Sequence, residues 1–185
     1  MKVLLVCLAV IVVIIVAKAI WVGIATRHNG DFESEKADIL ARRDYLIGKV
    51  LTNPQQLIDE MPRLVGPQFQ GEWALYSCSM LSAALVNTTL IYNEDKETAI
   101  ATIDSLIQIV MSPELRAYDR ERWGADPLAT LDGNKSHVSY ISHLAWMIGG
   151  YKQLGGGDKY DELYHQLCET MNRRILESPN MNLPT

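Results

Sequence analysis

This 185-residue chain has no lysine- or arginine-rich block. Its 17 basic residues stand against 22 acidic ones, for a net charge of −5. Nucleic-acid binding through a basic patch is therefore not expected. Cysteine is scarce: Cys7, Cys78 and Cys168, none in a CxxC pair. That spacing argues against a zinc site and against a disulfide framework. Cys78 and Cys168 lie in apolar helical contexts, where cysteine is usually small core filler; one disulfide between them stays open. No HExxH, no nucleophile elbow and no phosphate-binding glycine loop occurs. Gly155-Gly156-Gly157 reads as a helix stop. No metal and no cofactor is expected from these motifs. No segment alternates with period two, so no strand is predicted and the fold class is all-α.

What the chain has in quantity is apolar residues at its start. Val3 to Ala25 is interrupted by one charge, Lys18. A helix needs roughly 20 such residues to cross a bilayer. Trp21 suits the lipid–water boundary, and Lys18 can snorkel towards it. Two readings compete. One is a retained signal anchor, a transmembrane helix within residues 1–27. The other is a leader cleaved at Ala17-Lys18-Ala19, a small-x-small pattern. The anchor is preferred, because apolar character continues through Ile20-Trp21-Val22-Gly23-Ile24. Either way the main domain is expected outside the cytoplasm, periplasmic if the cell is Gram-negative.

Residues 28–66 read as a stalk helix and linker. The helix runs from Asp31 to about Leu51, with a thin apolar stripe and a charged face. Asn53-Pro54 opens a short second helix, asparagine as cap and proline at the first helical position. Pro62 to Gln70 reads as a loop. Residues 67–185 then carry helices in pairs. Glu72–Tyr92 is followed by Lys96–Met111, and Ser136–Leu154 by Lys159–Leu176. Asp95-Lys96 corresponds to Asp158-Lys159, and each pair closes in Ser-Pro (Ser112-Pro113, Ser178-Pro179). Between the pairs stand a short helix, Leu115–Arg122, and turns from Trp123 to Lys135. Repeated hairpins stack, because one alone cannot bury its apolar face. The last residues, Asn180 to Thr185, read as a linker into another hairpin, so a fragment or a shortened relative of a longer protein is expected.

The helix after Ser136 concentrates the chemistry-bearing side chains. Ser136 is its expected cap. Ser136, Tyr140, His143 and Met147 fall three or four residues apart on one stripe. Val138, Ile141, Ala145 and Ile148 form a separate apolar side. Imidazole titrates near neutral pH, which makes His143 a candidate general acid or base; a hydrogen-bonded interface histidine is the plainer account. Tyr140, one turn earlier, is placed to orient a substrate hydroxyl. His137 stands at the helix start, at the mouth of any cavity. In the first hairpin Trp73 and Tyr76 would wall a pocket, with core packing as the plainer account, and Glu72 would favour a helix N-terminus. Asp126, Asp132 and Asn134 lie in the loop before the central helix. A carboxylate there would pair with His143 or His137, although loop aspartates are commonly turn formers. His165 reads as surface.

The hairpin pattern resembles part of an (α/α)6 barrel. Within that class, Ser139-Tyr140-Ile141-Ser142-His143-Leu144, then Gly150-Tyr151 and Gly157-Asp158-Lys159-Tyr160, is similar to the linalool dehydratase/isomerase-like family. The similarity covers Pro67 to Leu176. It implies an α/α toroid, here incomplete, whose inner helices line a cavity for acid–base lyase or isomerase chemistry on a small organic substrate. His143 matches the family's active-site histidine and Tyr140 its nearby tyrosine. The family's cysteines would come from later helices, so neither Cys78 nor Cys168 takes those roles. Trp73, Tyr76, His137, Asp126 and Asp132 would be substrate-binding. Two rivals remain: a carbohydrate-active α/α-barrel enzyme using Glu72 or a loop aspartate as acid, and a non-catalytic helical interaction module held at a membrane.

Overall fold

A computed structural model describes residues 11–18, 20–21, 31–59 and 67–178. Among these the chain is helical and contains no strand. Seven helices are named here: α1 (Phe32–Thr52), α2 (Pro54–Asp59), α3 (Pro67–Tyr92), α4 (Lys96–Val110), α5 (Pro113–Trp123), α6 (Val138–Gln153) and α7 (Asp161–Glu177). The chain divides between Asp38 and Ile39 into two compact units. In the first, residues 11–18 and 20–21 are helical and expose their apolar side chains, Trp21 most of all at 72%. The rest of the expected anchor, and the tail from residue 179, lie outside the described residues.

In the second unit, capping and periodicity set the elements. Asn53 Oδ1 accepts from the Gln56 amide where α2 begins. Asp95 caps α4, accepting from the Glu97 amide at 3.1 Å. Ser112 caps α5 through the Leu115 amide at 3.3 Å, with Pro113 at the first helical position. Such caps contribute about 1 kcal/mol each. Along α4, Ala99, Ile103, Leu106, Ile107 and Val110 recur at helical spacing and are buried. Burying each large aliphatic side chain contributes roughly 1.5–3 kcal/mol.

The expected loop from Pro62 to Gln70 is partly corrected: α3 already begins at Pro67. Proline suits a first helical turn, where its missing N–H would have no partner in any case. Glu72 is thereby the sixth residue of α3, beyond the first turn, and its expected role at a helix N-terminus does not hold.

Helix α3 is the centre of the unit, packed against α2, α4, α5 and α6. Among the described residues one stretch, Gly71–Tyr92 of α3, is long and apolar enough to cross a membrane. Over half of its most apolar window is buried inside the fold, as in a core helix. Small residues let its neighbours come close. A Cβ at Gly71 would stand 2.3 Å from the Tyr118 ring of α5. A Cβ at Gly150 of α6 would stand 2.9 Å from Val86 of α3.

The two expected hairpins are present. Helix α3 packs on α4, α6 packs on α7, and the pairs stack through α3–α6 and α4–α6 contacts. Gly155 and Gly157, both at positive φ, reverse the chain between α6 and α7. The expected helix from Lys159 starts two residues later, at Asp161. Lys159 instead bonds Asp104 of α4 at 2.7 Å, as does the Tyr160 hydroxyl at 2.6 Å. Burial works against the Asp104 charge, but these two partners outweigh it and hold the carboxyl below the ordinary range.

Candidate functional site

Helices α3 and α6 run side by side and share a file of rings. Trp73 and Tyr76 meet edge-on at 6.1 Å between centroids. Tyr76 and His143 lie 4.6 Å apart, and His143 and Trp146 6.1 Å. The outer members, Trp73 and Trp146, are each half exposed. His143 is half-buried between them, neither turned wholly to solvent nor enclosed by aliphatic groups.

Polar groups tie this file across the helix pair. The Tyr76 hydroxyl donates to Glu72 Oε1 at 2.9 Å. Ser139 of α6 donates to the same oxygen at 3.1 Å and lies 3.3 Å from the Tyr76 hydroxyl. Ser79 Oγ lies 2.7 Å from His143 Nδ1 and donates to the Tyr76 carbonyl at 3.1 Å. A serine has one hydroxyl proton. Both contacts are satisfied together when Nδ1–H donates to Ser79. That leaves Nε2 as an acceptor, and among the described residues it has no hydrogen-bond partner. Partial burial lowers the His143 pKa below 6.5, against an upward pull from Glu72. At neutral pH the imidazole is a neutral base.

Tyr140 is not part of this arrangement. It is fully buried, and its hydroxyl donates to the Val110 carbonyl at 2.9 Å. The expected stripe Ser136–Tyr140–His143–Met147 therefore does not face one cavity; Ser136, Tyr140 and Met147 are buried and His143 alone is partly open. The separate apolar side is present in Ile141, Ala145 and Ile148, also buried.

His137 is likewise a core residue, completely buried, with Nδ1 bonded to the buried Asp119 carboxylate of α5. It takes the cap position of α6 at φ 46°, displacing the expected Ser136. Ser136 Oγ does accept from the Val138 amide at 3.4 Å. Asp126 forms a turn: its Oδ1 accepts from the Leu128 and Ala129 amides at 3.0 and 3.2 Å and from Arg116. Asp132 is exposed and lies near Arg173 of α7. Neither aspartate is brought to His143. His165 is exposed, as expected.

Cys78 is buried and free, its thiol pushed up to about 12 by burial; Cys168 is free and exposed. The open disulfide between them is not formed. No group of three or more His, Cys, Asp or Glu side chains among the described residues is placed to hold a metal ion.

Ser79, Ser139 and Trp146 were not among the candidates read from sequence. Trp146 had a signal, one turn after His143. The serines had none, because their partners lie across the helix pair, over sixty residues away. No family model matches the chain, and neither a curated protein nor a solved structure does.

Proposed function

We propose that this protein is a membrane-anchored α/α-toroid protein, similar to the linalool dehydratase/isomerase-like family, performing acid–base lyase or isomerase chemistry on a small organic substrate. His143 is the base, acting through Nε2. The single observation that carries the reading is the proton inventory at Ser79, which leaves Nε2 bare beside an exposed aromatic floor. Tyr76, whose ring lies 4.6 Å from the imidazole, and Ser139, both held on Glu72, supply hydroxyl groups on the same helix pair. Tyr140 has no part in the step, since its hydroxyl is engaged in the core. Helices α3 and α6 serve as inner helices of the toroid, with α4 and α7 outside. Residues 3–25 form the anchor, supported by the exposed apolar side chains of the described part, and the domain lies outside the cytoplasm.

Proton abstraction from carbon can be detected without knowing the net reaction. The full chain is incubated in D2O with a panel of small allylic and tertiary alcohols, and deuterium incorporation or water loss is followed by NMR. The expected result is exchange or turnover in at least one member, abolished by His143→Gln with helical content unchanged. Turnover retained by the variant, or none across the panel, overturns the reading.

The exposed apolar side chains Trp73, Met80 and Trp146 on the same two helices favour one second reading, a non-catalytic helical interaction module at the membrane.

A further inference from the structure

Beside the aromatic file, residues of α3, α6 and α7 enclose a groove of about 440 Å³. That volume is in the range of small-molecule sites. Its lining contains no carboxylate, amine, guanidinium or imidazole. A charged ligand would leave water there without a counter-charge, at a large cost. The polar lining is instead neutral: beside Ser79, which is engaged with His143, it comprises four side chains, Ser82 and Asn87 from α3, Gln153 from α6 and Tyr164 from α7. Among the described residues, none of these four side chains forms a hydrogen bond with the protein. Ser82 is the telling one. The residue is 99% buried, and its hydroxyl, which makes no hydrogen bond with the protein, belongs to the groove lining. Trp146 forms one wall and keeps half its surface open. Gly149 and Gly150 leave the adjoining backbone free of side chains.

We infer that this groove binds a neutral carbohydrate, one ring stacked by its C–H face on Trp146 and its hydroxyls bonded to Ser82, Asn87, Gln153 and Tyr164. Sugar hydroxyls both donate and accept, as do the two amides and the two hydroxyls that meet them. An indole supplies a flat apolar platform for the ring carbons. A purely apolar ligand would cover the Ser82 and Tyr164 hydroxyls without giving them partners, a mismatch that sites reject strongly. The inference rests on the groove alone and stands whether or not His143 is a base.

The test uses the full chain in phosphocholine-detergent micelles, which carry no sugar. The indole N–H resonance of Trp146, assigned with Trp146→Phe, is followed during titration with cellobiose, maltose and chitobiose. Adenosine and N-acetylglycinamide are the controls. The expected result is a saturable shift with at least one disaccharide in the millimolar range, weakened at least about tenfold in the Asn87→Ala/Gln153→Ala double variant. Both substituted residues are exposed, so the fold is retained. No saturable shift with any disaccharide, saturation by adenosine or the amide alone, or equal binding by the double variant overturns the assignment.

Discussion

The Ser79 hydroxyl stands 2.7 Å from His143 Nδ1 and joins α3 to α6 at the middle of the aromatic file. Because that hydroxyl also donates to the Tyr76 carbonyl, the imidazole is held as the Nδ1–H tautomer. Two-bond ¹H–¹⁵N correlation spectra of histidine-labelled protein at neutral pH should show Nε2 unprotonated at His143. Ser79→Ala removes the acceptor and should release a mixture of both tautomers. An unchanged histidine pattern in the variant would show that Ser79 does not set the tautomer.

The acid response follows from the lowered His143 pKa. In the unfolded chain the imidazole takes up a proton near its ordinary 6.5; in the fold it does so only at lower pH. The unfolded state therefore binds more protons between those two values, and stability falls as pH falls. The contribution is fully present above the unfolded value. It is lost progressively down to the folded one. Urea midpoints measured from about pH 7.5 to about pH 5.5 should fall less steeply in His143→Gln than in the native chain. Parallel slopes would mean that the imidazole titrates alike in both states.

Arg174 holds the loop that leads into α6. It is 3% exposed, and its guanidinium donates to the carbonyls of Thr130, Gly133 and Ser136 at 2.9, 3.2 and 2.9 Å. Neighbouring Arg173 reaches Leu131 and Gly133 from the same helix. Arg174→Met should lower unfolding stability by about 3–5 kcal/mol, since buried carbonyls lose their donors. Arg174→Lys should recover less than half, because an ammonium lacks the planar fork. Urea denaturation followed by circular dichroism checks both. A loss below about 1 kcal/mol, the scale of an exposed ion pair, would show that the loop is held by other contacts.

Helix existence and pairing were legible because they depend on local chemistry. Asp95 and Ser112 announce caps, and α4 repeats its aliphatic residues at helical spacing. The direction in which α6 faces was not legible. A stripe argument needs one wet side, and α6 is buried on most of its circumference: Tyr140, Ile141, Leu144, Met147, Ile148 and Tyr151 are all buried. Tyr140 and His143 share a stripe by counting, yet one enters the core and the other the open face. The Asp119–His137 pair was hidden for another reason. Asp119 sits among charged residues in Arg116-Ala117-Tyr118-Asp119-Arg120-Glu121-Arg122, a stretch that reads as solvated surface. Its burial is decided by α6 arriving from eighteen residues further on.

Gly71 has no room for a methyl group against Tyr118. Position 71 is thus a spacing gauge, with the radius of one hydrogen atom setting how near α5 lies to α3. The setting is inherited down the chain, from Tyr118 to adjacent Asp119, and from Asp119 to His137 at the threshold of α6. A side chain at the gauge would relocate that threshold, and every ring mounted on α6 would travel with it.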